Sequence, residues 1–198
     1  GSAALLFAVW LVIIIAAGLE RKYLIMIGVG LLIAAGLAWQ FAFKDYQRQR
    51  ILTFVRPSSS STQYNVRQAI IAVGAGGLYG RGLGFGSQSQ LKFLPEANTD
   101  FIFAVIAEEL GFIGVIMVIG CFAVIFFRIM AILPQVRNYF GSLFLVGAVG
   151  LIFIEMFINI GMNMGLMPVV GIALPFLSYG GSTTLSSLMI IGIVQSVI

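Results

Sequence analysis

Long apolar runs constrain this chain more than any other feature. Residues 3–19 and 23–43 are nearly unbroken apolar stretches of about the length that a helix needs to cross the hydrocarbon core of a bilayer. Three further stretches, 101–127, 141–163 and 183–198, have the same character. With 60% hydrophobic and 9% charged residues, the chain carries more apolar surface than a soluble domain can bury. The sequence therefore predicts an all-α, polytopic transmembrane helix bundle with about five spans.

The composition also excludes several kinds of chemistry. The chain has no histidine, which removes Ser-His-Asp triads, Cys-His pairs and HExxH zinc sites. Its single cysteine, Cys121, cannot form an intrachain disulfide. The net charge of +4 comes from few charged residues, so it indicates membrane topology and anionic lipid rather than nucleic acid. Any acid–base chemistry must come from Asp, Glu, Lys, Tyr or bound water.

Residues 1–198 are predicted to form a single membrane domain, and the abrupt ends in apolar sequence suggest a piece of a longer protein. Residues 44–100 form a large polar loop with a short amphipathic or re-entrant stretch near 66–73. Cations in the short connections after spans one and three place those connections in the cytoplasm. These cations are Arg21, Lys22, Arg128 and Arg137. The long loop and the uncharged connection 164–182 are then extracytoplasmic.

Four cations crowd the outer end of the second span, against this orientation. They are Lys44, Arg48, Arg50 and Arg56. One interpretation is that long loops escape the charge rule. The other is that these cations hold an anion outside the membrane, with Arg48 and Arg50 converging on it where the helix ends. The sequence leaves both interpretations open.

Residues 74–86 contain seven glycines in thirteen positions. Such a run lets backbone N–H groups come close to a ligand or to a neighbouring segment. Its spacing fits neither GxGxxG nor a Walker A loop, which argues against a nucleotide site. A loop packed tightly at the membrane surface is the plainer interpretation.

Several polar residues stand at or inside the predicted spans. Thr99 or Asp100 is a good N-cap for the third span, and Asp100 is also placed to act as a general base at the membrane boundary. Glu108 and Glu109 lie about two turns into that span, where a charge is costly and usually functional or paired. In span four, Glu155, Asn159 and Asn163 share one helix face, and interhelical hydrogen bonding is expected for the asparagines.

Two stretches carry a family resemblance. Residues 88–111 read QSQLKFLPEANTDFIFAVIAEELG and residues 159–182 read NIGMNMGLMPVVGIALPFLSYGGS. Together with DYQRQR at 45–50, they resemble the SEDS family (shape, elongation, division and sporulation) of bacterial peptidoglycan glycosyltransferases. DYQRQR and PVVGIALPFLSYGGS look more like the elongation members, RodA, than the division members, FtsW.

The resemblance implies a ten-span fold of which this chain is the C-terminal half. It also implies a glycosyltransferase of the bacterial cytoplasmic membrane that polymerises lipid II on the outer face during cell-wall elongation and cell-shape maintenance. Its expected partners are lipid II, undecaprenyl-pyrophosphate-linked glycan, membrane lipids and a class B penicillin-binding transpeptidase. Mg²⁺ or Mn²⁺ is a candidate cofactor, although the resemblance implies none firmly.

The resemblance also assigns residues. Asp100 occupies the position of the family's essential loop aspartate. Expected substrate-binding residues are Arg48, Arg50, Arg81, Lys92, Glu96, Ser178, Tyr179, Gly180, Gly181 and Ser182. Glu108, Glu109, Asn159 and Asn163 are expected to be structural polar residues within the membrane. The sequence departs from many members at Asn98, where they have His, and at Lys92, where they have a carboxylate.

Three alternatives stay open. A transporter or flippase of lipid-linked precursors would also use glycine-broken segments and intramembrane carboxylates. A scaffold that only recruits a transpeptidase would tolerate substitution of Asp100. A glycosidase using Glu96 and Asp100 is less well supported, because no further carboxylate pair accompanies them.

Overall fold

The computed structural model describes residues 2–37, 61–90, 94 and 97–197. Within these ranges every regular element is helical, which confirms the predicted all-α architecture. In chain order the elements are α1 (Ser2–Ala16), α2 (Arg21–Leu37), α3 (Ser61–Gly76), α4 (Ser87–Gln90), α5 (Ile102–Ile132), a 3-10 turn (Leu133–Gln135), α6 (Tyr139–Asn163) and α7 (Gly181–Val197).

The apolar runs of the sequence correspond to α1, α2, α5, α6 and α7. By length and composition, Ile102–Gln135 and Tyr139–Asn163 are long enough to cross a membrane, whereas α1 and α7 are shorter apolar helices. The outward faces of α5 remain apolar, with Phe112, Met117 and Phe127 more than half exposed. Because a helix that is apolar on its exposed faces needs lipid as its solvent, these helices form a membrane protein.

Helices α1 and α5 both run antiparallel to α6, so their connections fall at two ends. At one end the Tyr139 hydroxyl donates to the Ala17 carbonyl (3.2 Å), which brings the end of α1 to the start of α6. At the other end the last residue of α6, Asn163, reaches Asp100 just before α5. The loop before α5 and the loop after α6 therefore share one end of the bundle.

Glycines set the packing of α1 on α6. Val12 and Ile13 of α1 lie directly over Gly150 and Gly147 of α6, where a β-carbon would be in tight contact with their side chains. Small residues at such a crossing let two helices approach closely and gain van der Waals contact.

Helix α3 is longer than the sequence predicts. Its sixteen residues include the stretch 66–73 and begin at Ser61, five residues before that stretch. They also take in the first glycines of the run 74–86. Ala69 and Ala72 are fully buried against Phe101 and Ala104 at the start of α5. Because alanine offers little bulk, α3 lies close along α5 and delivers the glycine-rich loop to it.

Candidate functional site

Helix α5 is interrupted where the glycine-rich loop meets it. Gly111 has φ 66° and ψ −162°, a conformation that is essentially restricted to glycine. Backbone groups on either side of this break pair with the loop instead of with their own helix. The bonds are Arg81 N–H to Glu108 O (3.0 Å), Gly82 N–H to Glu109 O (3.0 Å), Phe112 N–H to Gly77 O (2.9 Å) and Ile113 N–H to Leu78 O (3.2 Å). We call this contact the glycine joint.

The glycine joint requires residues without side chains on both partners. A β-carbon on Gly76 would overlap the Ala107 carbonyl, and one on Gly80 would overlap that of Glu109. A β-carbon on Gly111 would overlap the Gly80 nitrogen. The loop is therefore packed against α5, as the plainer interpretation of the glycine run expects.

Glu108 connects α5 to the same loop through its side chain. It is fully buried, and its carboxylate accepts from the Ser87 hydroxyl (3.2 Å) and the Gln88 N–H (3.0 Å). Ser87 in turn accepts from the Arg81 guanidinium (3.0 Å). Ser87 thus links the exposed cation Arg81 to the buried Glu108 carboxylate, in keeping with the rule that buried charges are hydrogen-bonded. Glu109, next along α5, is only partly buried.

Asp100 is held by its main chain. Its carbonyl accepts from the side-chain amides of Asn159 (3.0 Å) and Asn163 (3.1 Å), both fully buried on α6. The side-chain oxygen of Asn163, Oδ1, accepts from the Ala104 N–H in the first turn of α5 (3.2 Å). The prediction that Thr99 or Asp100 caps this helix is wrong, because Phe101 holds the N-cap position without a side-chain bond. Asn163 serves the first turn from α6 instead.

The loop after α6 holds the two preceding residues. The Ser178 hydroxyl donates to the Thr99 carbonyl (2.7 Å) and accepts from the Leu174 N–H (2.7 Å). The Tyr179 N–H donates to the Asn98 carbonyl (2.7 Å). Three consecutive carbonyls, those of residues 98–100, are therefore bound by α6 and its following loop. We call this set of bonds the carbonyl anchor.

The same loop also touches the Asp100 side chain. Gly171, at φ 70°, lies beside the carboxylate, so that a β-carbon there would be 3.5 Å from Asp100 Oδ2. The Asn159 amide donates to the Ile172 carbonyl (2.8 Å), which fixes this part of the loop to α6. Sequence reasoning missed Gly171, for which the one available signal is a glycine between Pro168 and Pro175 in an apolar loop.

These features coincide with a known family. The whole chain, residues 1–198, matches the profile of FTSW_RODA_SPOVE, described as "Cell cycle protein". The chain belongs to this family. The peptidoglycan glycosyltransferase MrdB of Escherichia coli strain K12 is 41% identical over 177 residues, covering 87% of this chain and 48% of MrdB. A probable peptidoglycan glycosyltransferase FtsW of Geobacter sp. strain M18 is 38% identical over 199 residues, covering 100% of this chain and 53% of that protein.

A solved structure shows the same fold. It is described as "Structural coordination of polymerization and crosslinking by a peptidoglycan synthase complex", and it matches with a TM-score of 0.78 and 28% identity over 98% of this chain and 54% of that one. The chain thus spans about half the length of its curated relatives. The resemblance to the SEDS family is confirmed. Relatives of the MrdB and FtsW kinds match at similar identity, so the RodA-like assignment stays a prediction.

The FtsW/RodA/SpoVE fold brings only some of the predicted site residues together. Ser178 and Tyr179 contact the segment that ends at Asp100, and the Tyr179 side chain is exposed. Gly180, Gly181 and Ser182 follow at the start of α7, with Gly181 and Ser182 exposed. Arg81 lies on the glycine joint. The predicted residues Arg48, Arg50, Lys92 and Glu96 lie outside the described residues. Binding roles for all of these residues stay predictions.

A metal site does not emerge from the acidic residues that the structure describes. Over residues 2–37, 61–90, 94 and 97–197, no three Asp, Glu or Cys side chains stand close enough to hold one ion. Mg²⁺ and Mn²⁺ usually bind through carboxylates together with substrate phosphates. The described residues therefore do not make a protein-only cage, and the divalent cation stays a prediction.

Proposed function

We propose that the protein carrying this chain is a peptidoglycan glycosyltransferase that polymerises lipid II, with Asp100 as its general base. The observation that carries the proposal is the carbonyl anchor, which fixes the backbone up to Asp100 from a neighbouring helix and loop. Its relatives MrdB and FtsW are named peptidoglycan glycosyltransferases. The anchored backbone beside Asp100 and the family together support this function.

In the proposed reaction, two lipid-linked substrates meet beside Asp100. The carboxylate takes the proton of an acceptor sugar hydroxyl while that oxygen forms a bond to the anomeric carbon of the donor. The bond from that carbon to undecaprenyl pyrophosphate breaks, with inversion, and the pyrophosphate leaves with the electron pair. A positioned general base typically accelerates such a step by about a hundred- to ten-thousandfold.

The anchor has a direct bearing on this chemistry. Displacing a catalytic group by about 1 Å can cost about a hundredfold in rate. Four hydrogen bonds hold three consecutive carbonyls, those of residues 98–100, so the base is placed before substrate arrives. The departing pyrophosphate gains negative charge, which a nearby cation would stabilise. Among the described Lys and Arg residues, Arg81 is the nearest to Asp100 in sequence. Arg48, Arg50, Lys92 or a divalent cation would add to this stabilisation.

We also infer the orientation and location of the chain. Arg21, Lys22 and Arg137 belong to the end of the bundle where Tyr139 meets Ala17. An excess of Lys and Arg marks cytoplasmic connections. The end that carries the carbonyl anchor is then extracytoplasmic, on the bacterial inner membrane, where lipid-linked precursors are polymerised.

The proposed partner is a class B penicillin-binding transpeptidase. Support comes from the matched solved structure, which is described as a synthase complex that coordinates polymerisation and crosslinking. Apolar helix faces such as that of Phe153 and Phe157 on α6 remain exposed in the described part of the chain. A single-span partner would find apolar surface of this kind within the bilayer.

The experiment is a gel assay of glycan products made from lipid II by the purified full-length protein that carries this sequence. We expect Asp100→Asn to lower the polymerisation rate at least a hundredfold, because the amide cannot accept the proton. Glu20→Gln, which removes an exposed carboxylate in the turn before α2, is the matched control and should polymerise like the wild type. Thermal unfolding of each variant shows whether it is folded.

The alternatives give different results in the same assay. A flippase would move lipid II across a vesicle membrane and make no glycan in either variant. A scaffold would leave polymerisation by an added enzyme unchanged by Asp100→Asn. Wild-type rates in a folded Asp100→Asn variant would rule out the assignment of Asp100.

A further inference from the structure

A polar cavity lies under the loop that follows α6. It has a volume of about 160 Å³ and is lined by α1, α6, α7 and by residues 171–173 and 175 of the loop. Glu155 of α6 supplies the carboxyl group of its lining. Hydroxyl-bearing side chains of the other two helices complete the polar lining: Ser2, Thr183, Ser186 and Ser187. Four hydroxyls and a carboxylate are rarely grouped inside an apolar bundle. Polar groups within a membrane generally mark a functional site.

The hydrogen-bonding state of this lining points to the kind of ligand it suits. The Thr183 hydroxyl donates to the Gly180 carbonyl (2.9 Å), and those of Ser186 and Ser187 both donate to the Thr183 carbonyl (2.9 Å each). The protons of these three hydroxyls are thus used, and what the three offer the cavity is oxygen lone pairs. The Glu155 carboxylate is half-buried and has no hydrogen-bond partner among the residues that the structure describes. The cavity therefore presents hydrogen-bond acceptors, which suit a ligand rich in hydrogen-bond donors.

The cavity adjoins the proposed catalytic carboxylate. Gly171 lines it and also lies beside Asp100 Oδ2. Asn159, one helical turn after Glu155 on α6, holds the Asp100 carbonyl. A cavity of about 150 Å³ is large enough for one six-membered ring. A ligand in this cavity would therefore be a single ring that reaches the neighbourhood of Asp100.

We propose that this cavity binds one sugar ring of a lipid-linked substrate, with the Glu155 carboxylate accepting from its hydroxyl or acetamido N–H groups. The proposal rests on the proposed function and adds a substrate-binding residue to it. A carboxylate surrounded by oxygen acceptors disfavours an anion, so the pyrophosphate is bound elsewhere. Sugar hydroxyls and amide N–H groups are the donors that this lining leaves unmatched.

Binding is measured in the Asp100→Asn background of the full-length protein, so that substrate is not consumed. Glu155→Leu should raise the Kd for fluorescent lipid II about 10- to 100-fold, the effect of losing hydrogen bonds to a charged group. Glu155→Gln keeps the volume and should lie between Leu and wild type. Ser186→Leu blocks the cavity from α7 and should weaken binding without changing Glu155. Phe127→Leu, on the exposed side of α5, is the matched control and should not alter the Kd.

Undecaprenyl pyrophosphate, which lacks the sugar, separates ring recognition from general damage. Its Kd should be the same in the Glu155 variants as in their parent. A Kd for lipid II that stays within about twofold in a folded Glu155→Leu protein overturns the proposal, and so does an equal loss for both ligands. These results leave the proposed function intact, because that function fails only if the wild type makes no glycan.

Discussion

The Asn163 side chain forms hydrogen bonds with three residues at once from a fully buried position on α6. Its amide donates to the carbonyls of Asp100 (3.1 Å) and Asn159 (2.8 Å), and its oxygen accepts from the Ala104 N–H (3.2 Å). Buried polar groups must be paired, and in lipid no water replaces a lost partner. This residue therefore contributes both to the stability of the α5–α6 contact and to the position of Asp100.

Asn163→Ala should lower the free energy of unfolding by about 1–3 kcal/mol for each buried group left without a partner. Thermal or denaturant unfolding of the detergent-solubilised full-length protein measures the loss, and polymerisation should fall with it because Asp100 loses a support. Asn98→Ala is the control, since the anchor uses only the main chain of this exposed residue. Equal stability of the two variants would contradict the role given to Asn163.

At the scale of elements, the glycine joint replaces continuous helix with a contact between two segments. Gly111→Ala should destabilise the protein strongly. The backbone conformation at this glycine costs about 1–3 kcal/mol for other residues, and the new β-carbon would overlap the Gly80 nitrogen. Gly120→Ala, in the same helix with open space around it, should raise the free energy of unfolding by no more than about 1 kcal/mol.

Melting temperatures and protection of α5 from protease measure this difference. If Gly111→Ala and Gly120→Ala melt together, the joint does not depend on the conformation of Gly111.

The positions of the helices follow well from the sequence, whereas the contacts between them do not. Apolar length located α5, α6 and α7 to within a few residues, because the membrane imposes one length and one hydrogen-bonding pattern on each span. The break at Gly111 was not predicted, since glycine is ordinary within transmembrane helices. Only its proximity to Gly80, thirty-one positions earlier in the chain, makes this glycine a structural requirement.

The candidate site divides in the same way. The shared face of Asn159 and Asn163 was predictable from their spacing of four residues. Their target, a main-chain carbonyl on another element, leaves no trace in side-chain pattern. The same limit applies to Ser178, for which the sequence suggests substrate binding and whose described bonds join Thr99 and Leu174. The predicted residues Arg48, Arg50, Lys92 and Glu96 lie outside the described ranges.

At the scale of the whole molecule, the bundle depends on α1 lying along α6. The β-carbon of Val12 is 3.4 Å from the place of a β-carbon on Gly150, close to the separation of about 3.5–4.5 Å found in disulfides. In a Cys121→Ser background, Val12→Cys with Gly150→Cys should therefore crosslink under mild oxidation. Val12→Cys with Gly120→Cys should not, because Gly120 has nothing nearby.

Protection from a maleimide polymer, released by reductant, reads out the crosslink on a gel. If the cysteines at positions 12 and 120 are protected from the maleimide, or those at 12 and 150 are not protected in folded protein, α1 lies elsewhere on the bundle.

The carbonyl anchor holds residues 98–100 by hydrogen bonds that do not depend on their side chains. Each of its bonds ends on a main-chain oxygen, and every residue type carries one. Side chains in this stretch can therefore be exchanged without removing these bonds. The scaffold tolerates such changes, and the demands of the reaction alone decide what the third position must be.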